Sequence, residues 1–259
     1  MTPVDLRGLR VLLTRPHPHN DSLQAALEAC GAEVRTLPLL AIEPMPDTPA
    51  LRQRIMNLDL YQMVMVVSPN AARLGLEWID RFWPQLPTGI DWVAVGRATA
   101  AVLEAEGIRV QVPSDGHDSE ALLRLPRLQQ VAGDKVLILR GEGGRELLSS
   151  TLRERGAQVD YAELYRRVAP THSKDELDKA FNEFDPQILV LFSGESCQHL
   201  LALAREHDIP LRQRQLWLPS ERAVADARAQ GLDQLAVLAA LDEPAIVQAL
   251  GEWHHRAKP

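Results

Sequence analysis

Six short segments of the sequence place small, hydroxyl-bearing or basic residues directly after an apolar run. They are Thr14-Arg15-Pro16, Ser68-Pro69-Asn70-Ala71-Ala72, Gly96-Arg97-Ala98-Thr99, Arg140-Gly141-Glu142-Gly143-Gly144, Ser193-Gly194-Glu195-Ser196 and Ser220-Glu221-Arg222. At the carboxyl end of a parallel strand, such residues offer backbone N–H groups, hydroxyls and guanidinium groups to an anionic ligand. Each segment alone is more typical of a helix cap, so it is their number that favours a site for several carboxylates. The residues predicted to contact such a ligand are Arg15, Ser68, Asn70, Ala71, Gly96, Thr99, Arg140, Gly141, Ser193, Gly194, Ser196, Ser220 and Arg222.

Tyr165 is a candidate for proton transfer. It precedes Arg166 and Arg167, and a phenol beside positive charge can donate a proton to a leaving hydroxyl. A tyrosine in such a place more often packs against its neighbours and makes one hydrogen bond. The residues alone therefore leave both roles open.

Other familiar catalytic patterns are absent from the sequence. It contains neither a G-x-x-x-x-G-K-[ST] nor a G-x-G-x-x-G nucleotide motif, and it has no G-x-S-x-G nucleophile elbow. His17 and His19 are not accompanied by a set of cysteine or carboxylate partners at a spacing typical of metal sites, and His254 and His255 lie in a terminal segment. We expect no metal and no other cofactor.

Composition narrows the class of protein. The 259 residues are 46% hydrophobic and 24% charged with a net charge of -7, which is typical of a globular protein and does not favour nucleic acid or anionic membranes as partners. Cys30 and Cys197 lie in apolar helical patterns, so we expect buried thiols in a reducing compartment. No apolar run reaches transmembrane length. These features predict a cytoplasmic protein, and we expect a monomer.

The two halves of the chain repeat each other. Val11-Leu12-Leu13-Thr14-Arg15 is echoed 125 positions later (136 − 11) by Val136-Leu137-Ile138-Leu139-Arg140, and Val64-Met65-Val66-Val67-Ser68 is echoed at the same spacing by Leu189-Val190-Leu191-Phe192-Ser193. After a slip of one residue, the segment from Trp92 to Gly107 matches that from Leu216 to Gly231. A constant register through strand and helix positions predicts a duplicated architecture.

Within each half, short apolar runs alternate with helical patterns. The sequence predicts strands at Val11–Thr14, Val34–Leu40, Met63–Val67 and Trp92–Val95, a helix after Asn20 that ends at Gly31, and helices over Asn70–Phe82 and Arg97–Glu106. Strands that alternate with helices imply parallel sheets covered on both faces. The fold class is therefore α/β, with two similar doubly wound lobes. Proline-rich Pro38–Pro49 and its counterpart Glu163–Pro170 are predicted to be linkers between them.

Several segments together resemble the uroporphyrinogen-III synthase family. They are Val11-Leu12-Leu13-Thr14-Arg15-Pro16, Gly31-Ala32-Glu33-Val34, Val67-Ser68-Pro69-Asn70-Ala71, Val95-Gly96-Arg97-Ala98-Thr99-Ala100, Gly133-Asp134-Lys135-Val136-Leu137, Glu163-Leu164-Tyr165-Arg166-Arg167, Phe192-Ser193 and Ser220-Glu221-Arg222. Each motif is short, but their order and spacing span the whole chain. The resemblance implies two flavodoxin-like lobes, residues 1–38 with 168–259 and residues 39–167, which are joined by a two-stranded linker and hold the substrate in the cleft between them.

The resemblance also implies a reaction. The substrate would be hydroxymethylbilane, a linear tetrapyrrole with eight carboxylates, and a cofactor-free lyase would close it with inversion of the last ring. Tyr165 matches the tyrosine associated with departure of the hydroxyl, and Ser68, Thr99 and Ser193 match positions that line the cleft. The counterpart of Thr99 in the second half is Ala223, which departs from the family pattern, and Ser220 with Arg222 are expected to take its place.

Other functions share parts of this pattern. A non-catalytic two-lobed protein that binds a polyanion or tetrapyrrole would have the same fold and turns. A two-lobed glycosyltransferase would need a nucleotide-diphosphate site, and a protein–protein scaffold would need a large exposed apolar patch.

Overall fold

The structure, a computed structural model, describes residues 4–116, 118–144 and 146–257. Eleven strands lie within this part of the chain: β1 (Arg10–Leu13), β2 (Glu33–Thr36), β3 (Ala41–Pro44), β4 (Met63–Val66), β5 (Asp91–Ala94), β6 (Val110–Gln111), β7 (Lys135–Gly141), β8 (Gln158–Val168), β9 (Ile188–Val190), β10 (Gln215–Leu218) and β11 (Leu235–Val237). The α-helices of the same residues are α1 (Asp21–Ala29), α2 (Pro49–Met56), α3 (Pro69–Asp80), α4 (Arg97–Ala105), α5 (Ser119–Leu123), α6 (Pro126–Gln129), α7 (Leu147–Glu154), α8 (Lys174–Asp178), α9 (Gly194–Glu206), α10 (Glu221–Arg228) and α11 (Glu243–Ala257). None of these helices is long and apolar enough to span a lipid bilayer.

The chain divides into two compact units. The first unit comprises Met1–Ala41 and Val168–Pro259, and the second comprises Ile42–Arg167. The first sheet has the strand order β11-β10-β9-β1-β2, and the second has the order β3-β8-β7-β4-β5-β6. The pairs that β1 forms with β2 and β9, and that β7 forms with β4 and β8, are parallel. This arrangement confirms the predicted α/β class with parallel sheets.

Both faces of each sheet are buried, because alternate residues of the central strands enter different hydrophobic clusters. In the second unit, Val64 and Val66 of β4 pack with α3 and α4, whereas Met63 and Met65 pack with α5 and α7. In the first unit, neighbouring residues of β1 divide in the same way between two clusters. The parallel sheets are therefore covered on both sides, as the continuous apolar runs predicted.

The helices begin and end close to the positions that the sequence predicts. Ser68, Ser193 and Ser220 occupy the N-cap positions of α3, α9 and α10, and each hydroxyl accepts a hydrogen bond from the backbone N–H three residues later. Gly31 follows α1 with a φ of 93°, the left-handed conformation that ends a helix at this position. Asn20 precedes α1, but its side chain makes no capping bond and donates to the Arg15 carbonyl instead.

The two segments predicted as linkers contain the positions at which the chain passes from one unit to the other, Ala41/Ile42 and Arg167/Val168. Both segments also carry strand residues, because Pro38–Pro49 contains β3 and Glu163–Val168 is the second half of the eleven-residue strand β8, beside which β3 lies. Two other predictions from the sequence are wrong in detail. The predicted strand Val34–Leu40 ends at Thr36, before Pro38, which lacks the N–H that a ladder requires. Cys197 is buried as expected, whereas Cys30 is only half-buried.

Candidate functional site

A cavity of about 340 Å³ opens beyond the ends of β4 and β7 in the second unit. These two strands are neighbours in the sheet, but the chain leaves β4 toward β5 on one side and leaves β7 toward β8 on the other. Adjacent strands whose connections run in opposite directions form a topological switch point, which is where open α/β sheets bind ligands. The cavity therefore lies where the fold favours a ligand.

Four of the residues predicted from the sequence line this cavity together. Ser68 follows β4, Arg140 and Gly141 end β7, and Tyr165 lies on β8. The sequence separates Ser68 from Tyr165 by 97 positions, and the sheet brings their side chains into contact.

Tyr165 and Ser68 form the polar centre of the cavity. The Tyr165 Oη lies 2.9 Å from the Ser68 Oγ, and the same Oγ accepts the Ala71 N–H at 3.0 Å as the cap of α3. Ser68 thus connects the phenol to the N-terminus of a helix, where the dipole carries partial positive charge. Only 3% of Tyr165 is exposed, so the hydroxyl is presented from a largely immobile ring.

The backbone of β7 leaves room for the Tyr165 ring. Arg140 pairs with Glu163, but Gly141 pairs with Tyr165, so the register shifts by one residue between them. Such a bulge re-aims the side chains of the strand that carries the extra residue. A Cβ at Gly141 would lie 2.7 Å from both Cε2 and Cζ of Tyr165, so the ring occupies space that any other residue would fill.

The positive charges near Tyr165 are arranged differently from the prediction. Arg166 is not among the residues that line the cavity, and it forms two hydrogen bonds of 3.0 Å with the carboxylate of Glu43. Arg167 lines the cavity, and so does Arg140, whose side chain is only 6% exposed. The arginines that line the cavity together with Tyr165 are therefore Arg140 and Arg167.

Tyr161, Ser119 and Glu146 were not singled out from the sequence, and the structure brings all three to this region. Tyr161 and Ser119 line the cavity, and the Tyr161 Oη donates a 2.5 Å hydrogen bond to Glu146. Burial and this bond raise the pKa of Tyr161, while the bonds from Tyr161, Ser149 and Arg140 lower the pKa of Glu146. Residue type and spacing gave no signal for any of the three.

Other predicted residues of the second unit serve as helix caps or lie outside the cavity. Ala71 is buried and its N–H is bonded to Ser68, while Asn70 accepts a hydrogen bond from Arg73. Gly96 is the N-cap of α4, and its carbonyl accepts the N–H of Thr99, which is 2% exposed. A ligand contact at these four positions stays a prediction.

The first unit has a comparable group at the ends of β1 and β9. The guanidinium of Arg15 lies 3.8 Å from the centre of the Phe192 ring. The Ser193 Oγ accepts the Ser196 N–H at 3.0 Å and contacts the Ser196 hydroxyl at 2.8 Å, and Gly194 is the first residue of α9. These contacts satisfy the cap locally, so ligand contacts at Arg15, Ser193, Gly194 and Ser196 stay predictions.

Ser220 and Arg222 make different contacts within this unit. The Ser220 Oγ caps α10 by accepting the Ala223 N–H at 3.3 Å, whereas Arg222 is exposed and lines a groove between α9 and α10. The structure gives no contact that joins them into one site. Among the described residues, no group of three or more histidine, cysteine, aspartate or glutamate side chains is arranged to hold a metal ion.

Fold and cavity together define an α/β protein with a polar pocket at the switch point of a parallel sheet. A family model described as uroporphyrinogen-III synthase HemD matches residues 21–248. A uroporphyrinogen-III synthase of Escherichia coli (strain K12) is 35% identical over 253 residues, which cover 93% of this chain and 100% of that protein. One from Salmonella typhimurium is 37% identical over 250 residues, with the same coverage. This chain belongs to the uroporphyrinogen-III synthase family.

Solved structures agree with this at the level of the fold. A uroporphyrinogen-III synthetase of Helicobacter pylori superposes with a TM-score of 0.60 at 14% identity, over 95% of this chain and 99% of that chain. A mutant uroporphyrinogen III synthase of Thermus thermophilus superposes with a TM-score of 0.56 at 18% identity, over 96% of this chain and 100% of that one. At these identities, the likeness concerns the fold alone.

Proposed function

We propose that this protein is a uroporphyrinogen-III synthase, a lyase that removes water from hydroxymethylbilane and closes the ring with the last pyrrole inverted. The observation that carries the proposal is the match to relatives of that name over their entire length. Those names favour an enzyme over a non-catalytic binding protein. The cavity of the second unit adds a phenol, a buried arginine and a switch-point location.

Tyr165 is the proposed proton donor. Its Oη gives a proton to the terminal hydroxyl of the substrate, which leaves as water and creates a cationic azafulvene. The Ser68 Oγ, 2.9 Å away, can then donate a hydrogen bond to the phenolate, and the nearby N-terminus of α3 favours that negative charge. The proton that the last ring loses when it closes restores the phenol, so the net reaction releases one water.

The protein also has to control the path of the reaction. Closure without inversion occurs in water, so the enzyme must hold the chain in a conformation that makes the substituted carbon the nearer one and must exclude water. Arg140, Arg167 and the glycines that follow β7 line the same cavity as Tyr165, which supports a role for them in binding carboxylates. The substrate's position between two lobes, the absence of a cofactor, a monomeric state and a cytoplasmic location stay predictions.

We also propose that the two units are flavodoxin-like lobes derived from one duplication. Elements 125 or 124 positions apart correspond, such as β1 with β7 and β5 with β10 (135 − 10 and 215 − 91). When they are equated, β2-β1-β9-β10-β11 corresponds to β8-β7-β4-β5-β6. The first of these orders is the flavodoxin order 2-1-3-4-5, which supports the proposal.

The decisive test is the isomer that the protein produces. Purified protein is given freshly prepared hydroxymethylbilane, and the products are oxidised and separated by chromatography against a reaction without protein. We expect the type III isomer as the main product and the type I isomer in the control. Type I alone in both reactions would refute the proposed activity.

A further inference from the structure

The carboxylate of Glu146 accepts hydrogen bonds from three side chains that come from three different elements. Arg140 of β7 donates through Nη1 to Oε1 at 3.1 Å, and Tyr161 of β8 donates to Oε2 at 2.5 Å. The Ser149 hydroxyl of α7 lies 3.0 Å from the same Oε2 and 3.0 Å from the Glu146 carbonyl oxygen, so the two oxygens share its one proton. A guanidinium, a phenol and an alcohol that converge on both oxygens form the donor set of a carboxylate-binding site.

The two charged partners in this cluster are exposed to very different degrees. The Arg140 side chain is 6% exposed, whereas that of Glu146 is 62% exposed. Arg140 is also held by its Nε bond to the Gly141 carbonyl and by the ring of Tyr161, 4.5 Å from its guanidinium carbon. The Arg140 guanidinium is thus fixed, whereas the Glu146 side chain projects into solvent and can rotate away.

Arg140 depends on an anion because a buried guanidinium without a counter-ion is costly. Glu163 is a second counter-charge, but its Oε1 lies 4.0 Å from the Arg140 Nε, too far for a hydrogen bond. If Glu146 left, Arg140 would keep that more distant charge and lose its hydrogen-bonded carboxylate, so the departure of Glu146 is favoured when another anion accepts the Nη1 hydrogen bond. A ligand with a carboxylate meets that condition.

This cluster adjoins the cavity described above. Arg140 and Tyr161 line the cavity together with Tyr165, so a ligand in the cavity reaches the same guanidinium and phenol that Glu146 now engages. We propose that Arg140, Ser149 and Tyr161 form a carboxylate-binding site that Glu146 fills when no ligand is present, and that a carboxylate of the substrate displaces Glu146. The nature of the displacing molecule rests on the proposed function, whereas the carboxylate class rests on the geometry.

Glu146→Ala with acetate tests the site without reference to turnover. Acetate has the methylene carbon and the carboxylate that the substitution removes, and acetamide has the same shape without the charge. We expect acetate to raise the Tm of this variant by at least about 2 °C more than sodium chloride of equal ionic strength or acetamide. If the variant is unfolded in chloride, the same salts are compared for restoring a cooperative unfolding transition.

Glu43→Ala is the matched control, because Glu43 pairs with Arg166, whose side chain is 48% exposed. Acetate should have no advantage over chloride there, since water already solvates the arginine that loses its partner. Arg140→Lys in the Glu146→Ala background should abolish the advantage of acetate. An equal response of Glu146→Ala to acetate, acetamide and chloride would overturn the proposed site.

Glu146→Gln tests displacement by the substrate. It keeps the shape of the side chain but weakens its hold on Arg140, so the KM for hydroxymethylbilane should fall at least threefold, because less competition has to be overcome. An unchanged or higher KM would overturn displacement. The two proposals can fail separately. If the wild type makes no type III product but acetate still stabilises Glu146→Ala specifically, the proposed function is refuted and the carboxylate site is supported.

Discussion

Gly141→Ala tests whether the position of the Tyr165 ring matters for the reaction. The new Cβ would lie 2.7 Å from Cε2 and Cζ of Tyr165 and 3.1 Å from its Oη. Ordinary carbon–carbon contacts need about 3.5 Å, so the ring has to move by roughly 0.8 Å. A movement of that size is enough to break the 2.9 Å contact with Ser68.

The expected consequence is a loss of turnover greater than the loss of stability would explain. A displacement of about 1 Å in a reacting group can cost roughly 100-fold in rate, so kcat should fall by about 10- to 100-fold. Overpacking should lower the free energy of unfolding by about 1–3 kcal/mol. The assay is the initial rate of type III product formation with saturating hydroxymethylbilane, alongside urea unfolding of the same preparation.

Gly75→Ala is the matched control. Its Cβ would also meet a side chain at 2.7 Å, but that atom is Cδ1 of Leu139 in the hydrophobic core. It should lower stability similarly and change kcat less than threefold. If Gly141→Ala also kept kcat within threefold of the wild type, the position of the Tyr165 ring would have no part in the reaction.

Two further substitutions separate catalysis from stability, and a third tests the pH dependence of stability. Tyr165→Phe should lower turnover at least several-fold while the fold persists with a loss of about 1 kcal/mol for one hydrogen bond, and unchanged turnover would remove Tyr165 from the mechanism. Ser68→Ala removes the cap of α3, so the free energy of unfolding should fall by about 1 kcal/mol and turnover should fall as well. Thr48→Ala removes the cap of α2 and should lower only the stability. Equal turnover in the two variants would contradict a role for Ser68 beyond capping. Arg214 holds the pKa of Asp185 below its usual value, so Asp185→Asn should reduce stability at pH 6–8, and the difference from the wild type should shrink as pH falls through that lowered pKa. A difference that persisted unchanged at pH 2 would refute the assignment.

Much of the fold could be predicted because its local signals agree with one another. The apolar run of β4, the serine cap before α3 and the glycine after α1 each specify a conformation through the backbone or through periodicity. These elements appear within a few residues of the predicted bounds. The parallel arrangement then followed from their alternation.

β8 shows what local signals miss. Charged residues and a following proline marked a crossing between lobes but did not indicate a strand, in which Leu164 and Tyr165 are buried in the core of the second unit. Tertiary packing therefore makes a strand of a segment whose composition resembles a loop.

The site was only partly predictable for a related reason. Ser68, Arg140 and Gly141 were identifiable because each ends or follows a recognisable strand segment, and Tyr165 was identifiable because two arginines follow it and because it matches a tyrosine of the family. The pairing of Tyr161 with Glu146 depends on strand register and on the start of α7, and neither is encoded by residue type. The shift in register that lets Gly141 face Tyr165 is likewise a property of the assembled sheet.

The three serines at helix N-caps show why residue type alone did not identify the site. Ser68, Ser193 and Ser220 all accept a backbone N–H from their own helix, as helix caps do. Of the three, Ser68 also contacts a tyrosine, and it lines the cavity. Residue type gave the same prediction for all three, and only the second contact distinguishes Ser68.

The most direct test of the site is to measure which tyrosine resonances shift when the product binds. The chain has three tyrosines, and protein labelled with ¹³C at the tyrosine Cζ should give three resonances, assignable with single phenylalanine variants. Tyr165 and Tyr161 line the cavity, whereas Tyr61 hydrogen-bonds Asp160 and is not among the residues that line it. Anaerobic addition of uroporphyrinogen III should shift the Tyr165 and Tyr161 resonances and leave that of Tyr61 in place. Saturable binding that left Tyr165 and Tyr161 unchanged would contradict the assignment of the site to this cavity.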